Sequence, residues 1–222
     1  MSTEATDPGW LKFRKARVWS NAELRQFSPL FRGSVVNVSG GRDEDKEGDH
    51  YANYFRNCED YYITNFETYA PHPFIPDTHR IFLDLEAPLP ADLRGRFDVA
   101  FNHTTLEHVY ECRRAFSSIC EMSRDVVIVV VPYIQQMHAV GYGDFWRFTP
   151  QTMKRLYEEN GLQLRYCSAN GADRGSIYLF SIGYRNQSWD EFIPARFDMK
   201  LVEDKPLYGN DYSNVIGANV IS

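Results

Sequence analysis

The run Val126-Val127-Ile128-Val129-Val130-Val131 constrains the fold more than any other stretch of this chain. All six residues are β-branched, none is polar, and Pro132 closes the run. Side chains that are stiff at χ1 favour extended backbone. A strand with no polar alternation must be buried on both faces, as in the centre of a parallel sheet. Parallel neighbours need a crossover of a dozen or more residues, usually helical. The preceding text supplies one: Arg96 to Phe101 reads as a strand, and Leu106, Val109, Cys112, Phe116, Ile119 and Cys120 form a helical stripe. Thr104 and Glu107 have the spacing of a capping box for that helix, with Thr104 at the N-cap and Glu107 at N3.

The same order extends both ways. Ser34 to Ser39 is a β-branched run ending in the turn Gly40-Gly41, Tyr61 to Thr64 is a second strand, and Arg80 to Leu83 a third. Tyr51, Tyr54 and Phe55 have helical spacing, whereas Asn65 to His79 holds three prolines and reads as loop. Thr149-Pro150 opens a helix with Pro at N1; Asn160-Gly161 closes it, with Leu162 placed to contact Tyr157. Leu162–Cys167 and Ser176–Ile182 are two further strands, and nothing helical joins them, so they form an antiparallel hairpin. Trp10 to Phe27 reads as helical and packs across the domain, with Ser20 or Asn21 able to cap a second turn. The expectation is an α/β protein of seven strands. Residues 1–30 are a leader (1–9) and packing helix, 31–185 the α/β domain and 186–222 a tail.

Composition excludes several classes. Net charge is −6 and the pI about 5.5, which disfavours a general nucleic-acid binder. The densest basic run, Lys12 to Arg17, is short and reads as a solvated helix face. Cys58, Cys112, Cys120 and Cys167 lack C-x-x-C spacing. Cys112 and Cys120 on one helix would lie ~12 Å apart along its axis, too far to bridge. Reduced thiols and the lack of an apolar leader fit a cytoplasmic protein. No run approaches the length of a membrane span.

The chemistry-bearing residues gather after strand ends, where open α/β sheets bind ligands. Phe97-Asp98-Val99-Ala100-Phe101-Asn102-His103-Thr104-Thr105-Leu106-Glu107-His108-Val109 follows the fourth strand, and the loop Tyr133 to Arg147 follows the fifth. That loop carries Tyr133, Gln135, Gln136, His138, Tyr142, Asp144, Trp146 and Arg147, a mixture suited to a sugar, another polyol or an aromatic alcohol. An unperturbed imidazole suits base duty near neutrality, which makes His103, His108 and His138 candidates. Neither H-x-x-x-H nor H-E-x-x-H occurs, so no metal is assigned. G-x-G-x-x-G and the P-loop pattern are absent as well, which argues against a nicotinamide-dependent oxidoreductase and an NTPase.

The sequence of elements, together with the Phe97–Val109 text and Asp144-Phe145-Trp146-Arg147-Phe148-Thr149-Pro150, resembles the class I S-adenosylmethionine-dependent methyltransferases of the type-11 pattern. The resemblance covers residues 30–185. It implies a Rossmann-like doubly wound sheet, mostly parallel, with a C-terminal antiparallel hairpin. It also implies S-adenosylmethionine as donor. Ser39, Gly40 and Gly41 would lie beside its methionine part, and Asn65 at the ribose. Asp84 and Leu85 would flank the adenine, with Asn102 and His103 near the sulfonium. The acceptor, a small molecule or glycan methylated at a hydroxyl, would meet Tyr133, His138, Tyr142, Asp144, Trp146 and Arg147. Asn65 stands where the family carries an acid, and Asn37-Val38-Ser39-Gly40-Gly41 shortens the usual glycine loop. An inactive binding or scaffold protein of the same shape is the alternative.

Overall fold

The computed structural model describes residues 8–67, 72–73, 75–138, 141–171 and 176–198, with side chains from residue 15 onward. Most of the expected leader, residues 1–7, and the tail beyond 198 lie outside the described residues. In chain order the elements are α1 (Pro8–Phe27), β1 (Ser34–Val38), β2 (Asp60–Asn65), β3 (Arg80–Phe82), β4 (Phe97–His103), α2 (Cys112–Met122) and β5 (Ser123–Ile134). Then follow α3 (Pro150–Glu159), β6 (Gln163–Ala169), β7 (Ile177–Tyr184) and β8 (Arg196–Phe197). They form one sheet in the order β3-β2-β1-β4-β5-β7-β6-β8.

The β-branched run behaves as its composition requires. β5 pairs parallel with β4 on one side and antiparallel with β7 on the other. Every residue from Val126 to Val131 is fully buried. Successive side chains point to opposite faces. Val127, Val129 and Val131 join the core beneath α2 and α3, while Val126, Ile128 and Val130 join the core beneath α1. α1 docks through Ala16, Leu24 and Phe27. Phe27 meets Tyr166 edge-on at 4.8 Å, and Glu23 Oε2 accepts from the Tyr166 hydroxyl at 2.6 Å and from Ser168 Oγ at 3.1 Å.

α3 forms as its local signals specify. Thr149 Oγ1 accepts from the Thr152 N–H at 3.1 Å, Pro150 is the first helical residue, and Gly161 takes φ +70°. The Leu162 N–H then bonds the Tyr157 carbonyl at 3.0 Å. β6 and β7 form the expected antiparallel hairpin.

Four expectations need correction. The sheet has eight strands, not seven: β8, in the tail, pairs parallel with β6 through Arg196 and Phe197. Two residues carry no periodicity, and this pair is held by the Arg196 guanidinium on Asp198 and on the Tyr166 hydroxyl. The helix expected around Tyr51–Phe55 is a single 3-10 turn, Tyr51–Asn53. Asp43 and Asp45 bend this crossover by taking its amides: Asp45 Oδ1 accepts from the N–H of Glu47 and Asp49, and Asp43 Oδ2 from that of Ala52. α1 runs without interruption through Ser20 and Asn21, so neither caps a second turn. Ser20 Oγ bonds the Arg17 carbonyl, and the Asn21 amide reaches Asp45 O and Glu47.

The capping box does not form. Only a 3-10 turn, Leu106–His108, follows β4, and α2 starts at Cys112. The Glu107 carbonyl accepts from the N–H of Phe145 at 2.7 Å and of Trp146 at 3.3 Å, which diverts it from a helical bond to residue 111. Thr104 sits at φ +48°, and its hydroxyl faces Arg17 and His103 instead of a helix end.

Candidate functional site

The ends of β1 and β2 interlock. The Ser39 N–H bonds Thr64 Oγ1 and the Gly40 N–H bonds the Thr64 carbonyl, both at 3.1 Å. Asn65 Oδ1 accepts from the Gly41 N–H at 2.6 Å, and its amide donates to the Gly41 carbonyl at 3.0 Å. Both ends of the Asn65 side chain are therefore engaged by one glycine. A Cβ on Gly40 would stand 2.6 Å from Asn37 Nδ2, so glycine is required there; a Cβ on Gly41 would meet nothing within 4 Å. Open space above a peptide held in place is a surface that a ligand can approach closely.

The remaining donor-side candidates divide. Asp84 follows β3, half-buried, with Oδ1 accepting from the Glu86 N–H at 2.8 Å. Leu85 is 5% exposed and belongs to the core beneath α2 and α3. Asn102 is fully buried; its amide donates to the Val38 carbonyl at 2.8 Å, and its Oδ1 has no hydrogen-bond partner among the described residues. Such an atom costs roughly 1–3 kcal/mol unless something donates to it.

His103 sits in a closed set of bonds under α1. Ser20 Oγ gives its hydrogen to the Arg17 carbonyl, so it accepts from His103 Nε2 at 2.9 Å. His103 Nδ1 then accepts from Thr104 Oγ1 at 3.1 Å, and Thr104 Oγ1 accepts from Arg17 Nη2 at 2.9 Å. Burial, and then the Arg17 charge, hold this imidazole well below its usual pKa. It is neutral with both nitrogens engaged. Arg17, expected on a solvated face, is instead turned inward and also reaches the Tyr51 hydroxyl at 3.2 Å.

The turn after β4 and the loop after β5 come together. His108 donates from Nδ1 to the Gly143 carbonyl at 2.6 Å, which leaves the lone pair on Nε2. Its ring lies 5.0 Å from His138 and 4.6 Å from Tyr142, both edge-on. Asp144 binds Arg147 in a two-pronged pair, 2.7 Å at Nη2, and accepts from the His138 N–H at 2.8 Å. Arg147 Nε reaches the Gln135 carbonyl at 3.1 Å. Burial opposes ionisation of Asp144, but the Arg147 bonds outweigh it and hold that carboxyl below its usual range. Trp146 Nε1 bonds the Val109 and Tyr110 carbonyls. Tyr133 leans instead on the core beneath α2 and α3. A cleft of about 590 Å³ opens between the starts of α2 and α3, lined by Tyr110, Cys112, Trp146, Arg147, Thr152 and Leu156 among others. None of Gly41, Asp84 and Asn102 lines it.

Glu107 is the residue that its sequence context concealed. It is fully buried, and neither carboxylate oxygen has a hydrogen-bond partner among the described residues. Burial pushes its pKa up to about 8, against the pull of Arg147 and Arg17. Oε1 lies 3.7 Å from His108 Nε2. Burial also lowers the His108 pKa. Near neutrality the pair is thus a protonated carboxyl facing the lone pair of a neutral imidazole.

No family model matches the chain, and no curated protein matches it. Solved structures do. Magnesium protoporphyrin IX methyltransferase from Synechocystis PCC 6803, with bound S-adenosylmethionine, superposes with a TM-score of 0.53 at 12% identity, over 83% of this chain and 87% of that one. A putative methyltransferase from Bacillus halodurans C-125 gives 0.53 at 10% identity, over 74% and 97%. The 1,6-didemethyltoxoflavin-N1-methyltransferase of Burkholderia thailandensis gives 0.50 at 14%, over 83% and 92%. The chain has the class I S-adenosylmethionine-dependent methyltransferase fold.

Proposed function

We propose that the protein is an S-adenosylmethionine-dependent methyltransferase of the cytoplasm that acts on a hydroxyl oxygen of a small molecule or glycan. The observation that carries this reading is His108, a base-form imidazole in the turn after β4 with its tautomer set by the Gly143 carbonyl. The donor supplies a sulfonium methyl ready for displacement. Asn102 Oδ1, buried and without a hydrogen-bond partner among the described residues, suits the donor's ammonium. Gly41 leaves room beside it, and Asp84 has a second carboxylate oxygen for the adenine amine. Transfer then requires alignment and removal of one proton. The acceptor hydroxyl gives that proton to His108 Nε2, while the Gly143 carbonyl goes on accepting from Nδ1–H of the resulting imidazolium. Tyr142, His138 and Trp146 border the acceptor, and Arg147 fixes the loop through Asp144.

A binding protein of the same shape is the second reading, favoured by one observation: Asn65, at the ribose position, is occupied by Gly41. Calorimetry with S-adenosylmethionine and S-adenosylhomocysteine separates the two. The enzyme reading expects both to bind, and an acceptor screen over sugars and phenols to find turnover. Absence of binding by either at high micromolar concentration would sink it.

A further inference from the structure

The crossover between β1 and β2 replaces the expected helix with a tight polar loop, and this loop gathers groups that the methyl-transfer reading does not use. Asp43, His50 and His72 each present one ligand atom, and these atoms lie within 4.8 Å of one another. From this juxtaposition we infer that Asp43, His50 and His72 form a site for a divalent transition-metal ion of the zinc type, which staples the loop beside Gly40-Gly41.

Each ligand is positioned by its surroundings. Asp43 is fully buried at φ +61°, a backbone region that non-glycine residues enter at a cost of about 1–2 kcal/mol. Its Oδ1 accepts from Asn37 Nδ2 at 2.8 Å and from the Tyr61 hydroxyl at 2.7 Å, and its Oδ2 from the Ala52 N–H at 2.8 Å. A carboxylate offers about four lone-pair sites, so one remains, on Oδ2. All three donors are neutral, so no positive charge comes with them. Ligating carboxylates are held this way by an outer set of hydrogen bonds. His50 is fixed by the antiparallel bridge Glu44–His50 and by the Tyr51 N–H on the Asp43 carbonyl. His72 arrives from the β2–β3 connection; its ring meets that of His50 edge-on at 4.8 Å, and its Nδ1 accepts from the Ile75 N–H at 3.1 Å.

The donor set fits the chemistry. Two imidazoles and one carboxylate with a fourth position open suit Zn²⁺, whose ligand atoms lie about 2.0–2.2 Å from the metal. Atoms now up to 4.8 Å apart need to draw in by about 1 Å, a side-chain rotation for two histidines on loops. Binding at His72 exchanges a bond already present: a neutral imidazole that gives one nitrogen to the metal uses the Nδ1 lone pair or carries its proton there, so the Ile75 amide is released either way. The metal neutralises a buried carboxylate that now has neutral partners. The consequence is mechanical: Asp43 lies two residues beyond Gly41, and its N–H bonds the Gly40 carbonyl at 2.8 Å, so the ion would stiffen the glycine turn itself.

The test uses the full chain after chelator treatment, with Zn²⁺ followed by calorimetry, Co²⁺ by absorption, and melting temperature read with and without Zn²⁺. One equivalent should bind, Co²⁺ should develop the absorption of a low-symmetry site with nitrogen ligands, and the melting temperature should rise. Affinity should fall about tenfold or more in His50→Ala and in His72→Ala, and likewise in the milder His50→Gln and His72→Gln. His138→Ala, in the other histidine pair, should keep it. Binding weaker than about 1 mM overturns the inference. So does binding that survives both His50 and His72 replacements, or that is lost in His138→Ala alone. None of these readouts involves S-adenosylmethionine, so the donor reading and the metal site stand or fall separately.

Discussion

At the ends of β1 and β2 the loop amides pair within the protein: Gly41 with Asn65, Ser39 and Gly40 with Thr64. After β4, Glu107 is buried with neither oxygen hydrogen-bonded among the described residues, beside an imidazole whose outward nitrogen carries a lone pair. The first region spends its polar groups on holding a shape. The second holds polar groups out of use, at a cost in stability. A rigid loop meets a ligand without being reordered, whereas an unspent acid and base are ready to exchange a proton. The fold thus separates positioning, at the ends of β1 and β2, from chemistry, in the turn after β4.

The widest break of this contrast is at His108. With an acceptor in hand, His108→Asn should lower kcat by about 10²–10⁴-fold. It should also abolish an acid limb lying below pH 6.5, since burial lowers this group's pKa. His103→Gln should leave the pH profile unchanged, because both nitrogens of His103 are engaged. An unaltered acid limb in His108→Asn would remove it as the base.

The next effect is on stability. Folded Glu107 keeps its proton up to about pH 8, while the unfolded carboxyl releases it near its ordinary value of 4.5. Between these values only the folded chain holds the proton, so stability should fall as pH rises from about 4.5 to about 8. The full change is on the order of 5 kcal/mol. Urea midpoints for wild type and Glu107→Gln across that range read it: the variant should lose this slope and be the more stable protein at pH 9. Parallel slopes in the two would mean that Glu107 is ionised in the folded state.

Smaller changes probe the first region. Asn65→Leu strands the Gly41 N–H and carbonyl, and should cost about 1–3 kcal/mol in urea unfolding. Donor affinity should fall with it; a variant of wild-type stability would show the clamp to be dispensable. Gly41→Ala meets open space but keeps φ +60°, so only the backbone cost of about 1 kcal/mol is expected. A loss several times larger would mean that the space above Gly41 is not open in solution.

What the sequence disclosed follows from how local each signal is. The β5 run declares its two-sided burial in its own composition, and α3 carries its cap, its proline and its closing glycine within a dozen residues. Glu107 was legible as a residue but not as a site. The text around it spells a helix start, and only the Phe145 and Trp146 amides, almost forty positions on, prevent that helix. Arg17 was concealed in the same way, because Thr104 and Tyr51 turn it inward from far along the chain. Asp43, His50 and His72 have no motif spacing at all, and only the meeting of the β1–β2 and β2–β3 connections brings them together. β8 is two residues of edge pairing without a pattern to read.

The anchoring of α1 has a consequence in time. Glu23 in this first helix bonds Tyr166 and Ser168, 143 and 145 positions later, and α1 packs most heavily on β7. Synthesis delivers the helix early and its berth near the end. Contacts of such separation close late and slow folding. The growing chain therefore carries a helix that must wait, and one face of the sheet is sealed by a piece made long before the strands it covers.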